Sequence, residues 1–431
     1  MPLYTLTMRD AHGVESKILY STEDGTLTDE HGVNLLPEPE VEGKYSAVNP
    51  ISPSNPGKKT STVKKLKIQL GLKCNYSCSY CSQASHIGEV VQTNTEDARE
   101  FLRSLEWISD APEHVEFWGG EPFVYWPKLK VLVPELRKRW PDTRFSTVSN
   151  GSLLDDEKIE WLDLYGFEIA VSHDGPGQPT RGPDPLDDPE MAATWKKAWA
   201  VLGGQGRMSF NAVITPTNYN VTEIVQFFRD RIADDVRVGF EGVVNVHEDG
   251  AVSSFNEDTF LAMQRAIVES FYTGSAERNK TFVPEAQRFL EQMRKRQPIE
   301  TLGQGCGMDR PDYLAVDLMG NVLTCQNVGG SVHTVGHTSK LDDVKLNTST
   351  HFSHREECRH CPVIHLCAGS CMFLEGEEWY QTCQNEYHYN MAILTGIMLW
   401  FTGKQLVAID GDIRRPKPPR KKFPYAVTVK M

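Results

Sequence analysis

The sequence predicts an α/β fold: a partial (β/α)6 TIM-like barrel, preceded by a small N-terminal β appendage and followed by a cysteine-rich region. Three observations carry this. Short β-rich runs alternate with helical patterns from Lys64 to about residue 245, a pattern that joins parallel strands through right-handed crossovers. The first 63 residues instead alternate in short β-like runs. The ten cysteines fall into two groups, three at Cys74–Cys81 and seven from Cys306 to Cys383.

In chain order, Leu3 to Met8 and Ser16 to Tyr20 flank the turn signal Ala11-His12-Gly13, and a Pro-rich stretch runs from Pro37 to Pro56; residues 1–63 read as an appendage and linker. Strands follow at Leu66–Leu70, His114–Phe117, Arg144–Val148, Phe167–Val171, Met208–Ile214 and Val236–Val244. Between them lie helical patterns at Thr95–Trp107, Pro127–Trp140, Asp155–Tyr165, Pro189–Leu202 and Val221–Arg229, with Thr95 and Asp97 at a helix start. About 180 residues suffice for six units but not eight, and such a barrel carries its site at the C-terminal strand ends. The barrel is assigned to 64–250 and a helical bridge to 251–301, where Phe260, Met263, Ile267 and Phe271 keep helical spacing. The cysteine-rich domain spans 302–402 and closes with an amphipathic helix from about Glu386 to Phe401; residues 403–431 read as a basic Pro-rich tail.

Composition excludes several classes. The 431 residues carry 45 Lys plus Arg against 58 Asp plus Glu, a net charge of −13, with 39% apolar and 24% charged residues. That suits a folded core and argues against broad nucleic-acid binding, although Arg414–Lys422 is locally basic. The best apolar run, Met391–Phe401, is 11 residues long and broken by Thr395 and Gly396, short of the roughly 20 a membrane span needs. The first 30 residues lack a basic start followed by an apolar stretch, so the cytoplasm is expected. In a reducing compartment, closely spaced cysteines point to metal or redox chemistry.

Directly after the first barrel strand stands Cys74-x3-Cys78-x2-Cys81. Three thiolates this close can wrap one cubane and leave a fourth iron open; a three-Cys zinc site and unliganded thiols are the plainer alternatives. With Tyr80 before the last cysteine, the run resembles the signature of radical S-adenosylmethionine enzymes. Gly119-Gly120-Glu121-Pro122, at the end of the second strand, resembles their Gly-Gly-Glu motif, which hydrogen-bonds the methionine amino group. The resemblance implies a 4Fe-4S cluster on Cys74, Cys78 and Cys81. Reductive cleavage of S-adenosylmethionine there yields a 5′-deoxyadenosyl radical that abstracts a substrate hydrogen. It also implies cofactor contacts from Ser149 and Asn150 after the third strand and from Ser172 and Asp174 after the fourth. Arg181 is then a carboxylate partner, and Asn211 on the fifth strand joins them.

The remaining seven cysteines form Cys306-x13-Gly320-x4-Cys325, then Cys358-x2-Cys361-x5-Cys367-x3-Cys371, then Cys383. On spacing alone zinc competes, helped by His360 or His365. The arrangement resembles the SPASM extension of radical S-adenosylmethionine enzymes. That implies two auxiliary iron–sulfur clusters, one on Cys306, Cys325 and Cys371 and one on Cys358, Cys361, Cys367 and Cys383. Val316–Leu323 reads as a hairpin presenting Cys325, with Gly320 at its turn. One departure concerns the position six residues after Cys306, where some members carry a further cysteine and this chain has Asp312. The first auxiliary cluster then has an open iron, an Asp ligand or fewer irons.

The expected activity is radical modification of a peptide or protein side chain, by crosslink, epimerisation or oxidation, with a reductant such as flavodoxin or ferredoxin. A small-molecule radical dehydrogenase or rearrangement enzyme is the alternative, as is a formylglycine-forming sulfatase maturase. The last is weakened because Gln326 stands where those maturases carry a basic Asp. Glu241 and Asp317 are the carboxylates that could replace it.

Overall fold

The chain opens with an antiparallel sheet of β1 (Leu3–Arg9), β2 (Glu15–Ser21) and β3 (Thr26–Asp29). Alternation along β1 buries Tyr4, Leu6 and Met8 on one face, the period of two that a half-buried strand requires. The computed structural model describes residues 3–37, 45–83, 94–242 and 255–417.

The expected barrel strands form as β4 (Lys65–Gln69), β5 (His114–Trp118), β6 (Arg144–Ser149), β7 (Phe167–Ser172), β8 (Met208–Val213) and β9 (Val238–Glu241). All five neighbouring pairs are parallel. The crossovers carry α1 (Glu96–Arg103), α2 (Trp126–Arg139), α3 (Asp156–Leu164), α4 (Pro189–Ala198) and α5 (Val221–Arg231). Asp155, Asp188 and Asn220 cap the last three through their side chains. Thr95 makes no such bond at the start of α1; Asp97 is spent instead on an ion pair with buried Lys128 at 2.5 Å. Phe117, Phe145 and Phe167, one from each of three adjacent strands, meet at 5.6–5.7 Å beneath the helices.

The bridge is helical: α6 (Glu257–Tyr272), the single turn α7 (Ser275–Arg278) and α8 (Val283–Arg294). The expected hairpin is β10 (Tyr313–Asp317) and β11 (Asn321–Leu323), antiparallel, with Gly320 at φ 85° in the turn. After one turn, α9 (Gly330–His333), β12 (Thr334–His337) extends it. Short turns α10 (Glu356–Arg359) and α11 (Ile364–Cys367) carry cysteines; α12 (Gly376–Thr402) and β13 (Gln405–Asp410) close the fold.

Three features differ from the sequence reading. The cysteine-rich segment does not stand apart: β10 pairs in parallel with β4, giving one sheet in the order β12-β11-β10-β4-β5-β6-β7-β8-β9. The unpaired edge of β4 needs a partner, and the apolar run of β10 supplies it. The closing helix starts at Gly376, ten residues before Glu386, and so includes Cys383. The tail begins as a strand, since β13 pairs antiparallel with β1 and completes the N-terminal sheet. Residues 418–431, most of the basic stretch, lie outside the described residues, as do 243–250 at the end of the last predicted strand and 38–44 of the linker.

Candidate functional site

A cavity of about 510 Å³ opens at the C-terminal ends of the parallel strands. Strand periodicity builds its wall. On β7 and β8 the residues Ile169, Val171, Phe210 and Ala212 turn into the core, and Ala170, Ser172, Ser209 and Asn211 turn into the cavity. Register aligns Val148 with Ala170 and Ser209, and Ser172 with Asn211 and Gly239. Two predicted residues on different strands, Ser172 and Asn211, thus stand side by side.

Cys74, Cys78 and Cys81 line the same cavity. Backbone N–H groups of Tyr76 and Gln83 donate to the sulfurs of Cys74 and Cys81 at 3.4 and 3.3 Å, and Asn150 Nδ2 approaches Cys74 Sγ at 3.9 Å. Burial holds all three thiols above their ordinary range, while the N–H donors favour the thiolate that iron would take up. Gly120 fixes this loop against β5. Its N–H donates to Gly71 O at 3.1 Å, and Glu121 N–H donates to Lys73 O at 3.0 Å. A Cβ on Gly120 would lie 2.4 Å from Leu72 O and from the Lys73 carbonyl, so only glycine permits this approach.

Glu121 is fully buried and accepts from Ser149 Oγ at 2.8 Å, Asn150 N at 2.7 Å and Phe123 N at 3.0 Å. It stitches the ends of β5 and β6 together; burial raises its carboxyl despite these donors. Asn150 donates to Asn75 Oδ1 at 2.8 Å and so ties β6 to the cysteine loop. Tyr80 donates to Asp174, and Arg181 Nη1 donates to Tyr80 Oη at 2.7 Å. Asp174 Oδ1 also accepts from Val213 N at 3.0 Å. Arg181 Nε is buried beside the cavity with no partner among the described residues, a donor suited to a ligand carboxylate. The donor set therefore fits a cluster on the three thiols and a zwitterionic ligand beside it.

The other seven thiols form two groups. Cys358, Cys361, Cys367 and Cys383 line one space with Glu386 and Arg415. Cys306, Cys325 and Cys371 are electrostatic neighbours of one another. Burial pushes Cys325 and Cys361 up to about 12 and Cys371 to about 11. Among the described residues no three His, Cys, Asp or Glu side chains close on one point at single-ion distance. His365 is engaged elsewhere: its ring joins Tyr20 Oη at 3.2 Å and Gln297 O at 3.0 Å, and burial lowers it to about 4. His360 faces Asp412 at 3.1 Å.

The structure brings Tyr80, Gly119, Gly120, Glu121, Ser149, Asn150, Ser172, Arg181, Asn211 and Glu241 to the cavity. Asp174 sits behind its wall, wholly buried, and Pro122 opens the turn leading to α2. Asp317 is not brought there. Its carboxylate accepts from Met319 N, Asn321 N and Asn321 Nδ2 at 2.8–2.9 Å and shapes the hairpin turn. Asp312 is likewise taken, held by Arg310 at 3.0 and 2.9 Å. The buried carboxylate near Cys306 is Asp309, whose Oδ1 has no partner among the described residues. Sequence reasoning missed Asn327, which lines the cavity while its N–H donates to Cys325 Sγ at 3.2 Å. It also missed Lys59, buried and donating to the carbonyls of Met308, Arg310 and Tyr313 at 2.7–2.9 Å; burial lowers it to about 8. Neither residue belongs to a spacing pattern, so no local signal marked them.

Residues 68–185 match the sequence profile of the Radical SAM superfamily. Over 357 residues the chain is 22% identical to the radical SAM cyclopropyl synthase TigE of Paramaledivibacter caminithermalis, covering 72% of this chain and 68% of that protein. Native anSMEcpe with bound AdoMet superposes with a TM-score of 0.56 at 16% identity, over 78% of this chain and 96% of that one. Its complex with AdoMet and the Cp18Cys peptide superposes at 0.55, also at 16% identity, over 78% and 96%.

Proposed function

Because the chain carries a Radical SAM domain, we propose that it is a radical enzyme that modifies a side chain of a peptide or protein. The observation that carries this is the convergence of Cys74, Cys78 and Cys81, the Gly119-Gly120 backbone and Arg181 on one cavity of about 510 Å³. That space lies within the range of ordinary ligand sites. When bound, a reduced 4Fe-4S cluster with S-adenosylmethionine supplies a 5′-deoxyadenosyl radical that abstracts a substrate hydrogen. The chain's own residues do the rest. The three thiols hold iron, and Gly120 lets the β5 end approach the loop that carries them. Arg181 holds a carboxylate through its Nε, with Tyr80 and Asp174 fixing its guanidinium. Ser172 and Asn211 present polar groups from adjacent strands. Glu241, exposed to the cavity at the end of β9, is the carboxylate available to move a substrate proton.

The two further thiol groups are read as auxiliary iron–sulfur sites. The group of Cys306, Cys325 and Cys371 reaches the cavity through Asn327, and the group of Cys358, Cys361, Cys367 and Cys383 lines a space of its own. Clusters held there would supply a route for an electron leaving a substrate radical at the cavity, while a reductant such as flavodoxin or ferredoxin would supply the electron that cofactor cleavage consumes. The solved relative bound to AdoMet and the Cp18Cys peptide supports a peptide substrate. Co-expression with a short peptide encoded beside this gene, followed by mass spectrometry, tests the reading. A mass change that requires Cys74 is expected; an unmodified peptide, together with turnover of a small alcohol, would replace it with the small-molecule reading.

A further inference from the structure

After β13, residues 411–416 run as a strap across the second auxiliary group. Asp412 meets His360 Nδ1 at 3.1 Å, Arg414 N–H donates to His360 O at 3.3 Å, and the Arg414 side chain pairs with Glu356. These contacts pin the strap to the segment that carries Cys358 and Cys361. Arg415 then reaches the other side. Its Nη1 donates to Cys383 Sγ at 3.5 Å, and its Nη2 donates to Cys383 O at 3.2 Å and Gln384 Oε1 at 3.1 Å. The guanidinium carbon stands 3.7 Å from the centre of the Tyr387 ring, which fixes its plane. Among the described residues its partners are a sulfur, a carbonyl, an amide and a ring, and none is a carboxylate. This positive charge, with no carboxylate among its contacts in the described residues, is held by three hydrogen bonds and one ring against the wall of the four-cysteine space, which Glu357 and Glu386 also line.

We propose that Arg415 sets the reduction potential of an iron–sulfur cluster held by Cys358, Cys361, Cys367 and Cys383, by donating to the Cys383 sulfur and placing its charge beside the cluster. The proposal rests on the reading that those four cysteines hold a cluster. Reduction adds negative charge, so a fixed cation and an N–H···S bond favour the reduced form and raise the potential. The planar fork matters as well as the charge, because only a guanidinium binds sulfur, carbonyl and amide at once. Arg415 is thus a positioning and tuning residue, separate from the cavity where hydrogen is abstracted.

The test uses the full chain, reconstituted anaerobically with iron and sulfide, as wild type, Arg415→Gln, Arg415→Lys and Cys358→Ala. Iron is counted, and the paramagnetic signal missing from Cys358→Ala is followed through a redox titration. The midpoint is expected to move negative in Arg415→Gln at unchanged iron content, with Arg415→Lys between it and wild type. An unmoved midpoint in loaded Arg415→Gln overturns the proposal. If Arg415→Gln fails to load, the Lys variant decides in the same way, and loss of iron in both variants also overturns it, because Arg415 would then be structural. Full iron content in Cys358→Ala would instead refute the underlying reading of the four cysteines.

Discussion

Replacing Gly120 with alanine tests how the radical site is built. The added Cβ meets three backbone atoms, Leu72 O and the Lys73 carbonyl carbon and oxygen, each at 2.4 Å. Ordinary contact begins about 1 Å farther out, and backbone atoms cannot rotate away as a side-chain tip can, so residues 72–73 or the end of β5 must retreat. Retreat strains or breaks the bonds from Gly120 N to Gly71 O and from Glu121 N to Lys73 O; at about 0.5–1.5 kcal/mol each, the pair contributes about 1–3 kcal/mol. The larger consequence is positional. Residue 73 adjoins Cys74, and a misplacement of about 1 Å can cost on the order of 100-fold in rate. The assay is 5′-deoxyadenosine formed by the reconstituted chain with S-adenosylmethionine and dithionite, with iron content and urea unfolding in parallel. Gly204→Ala is the control, since its Cβ would meet nothing within 4 Å. Wild-type cleavage by Gly120→Ala would refute the reasoning that the close approach of these two segments positions the cysteine loop.

Asp317→Ala should lower stability by about 1.5–4.5 kcal/mol through three lost turn bonds and leave 5′-deoxyadenosine formation unchanged; loss of cleavage at full iron content would restore it as a functional carboxylate. Cys383→Ala should retain cofactor cleavage and lose the modified product, as read by the two assays together; loss of both would place that cysteine in the radical step. The iron-free chain should lose stability in alkali. Cys371 is raised to about 11 and Cys325 and Cys361 to about 12, so the unfolded thiols ionise first, near 8.5. Stability from these groups is complete below that pH and falls as pH climbs toward 11–12. In the iron-loaded chain these thiols carry no proton and their part of the loss should vanish. Equal urea midpoints for the iron-free chain at pH 8 and pH 10 would contradict the burial of these thiols.

The barrel was legible because each unit repeats two periodicities, as in the alternation of Phe167–Ser172 followed by the helical pattern from Pro189. Cysteines and glycines were legible for a different reason: their spacing is itself the chemistry. What lay outside the sequence was pairing between distant segments. Nothing local says that Tyr313–Asp317 completes the edge of β4, or that Gln405–Asp410 pairs with β1. For the same reason the 403–431 segment read as a tail, although Arg415 reaches Cys383 across 32 positions. Position relative to the cysteines and the family resemblance singled out Asp317 and Asp312 as candidate carboxylates. Neither could tell that turn N–H groups and Arg310 had already taken them.

The central claim is that Cys74, Cys78 and Cys81 hold the cluster that cleaves S-adenosylmethionine, with the other seven cysteines holding more iron. The most direct measurement is anaerobic reconstitution of wild type and Cys74→Ala, with metal analysis and 5′-deoxyadenosine quantified after reduction. The account predicts about 10–12 irons per wild-type chain, from three clusters, with 5′-deoxyadenosine formed by wild type and none by Cys74→Ala. Zinc in place of iron, or equal 5′-deoxyadenosine from the two proteins, would contradict it.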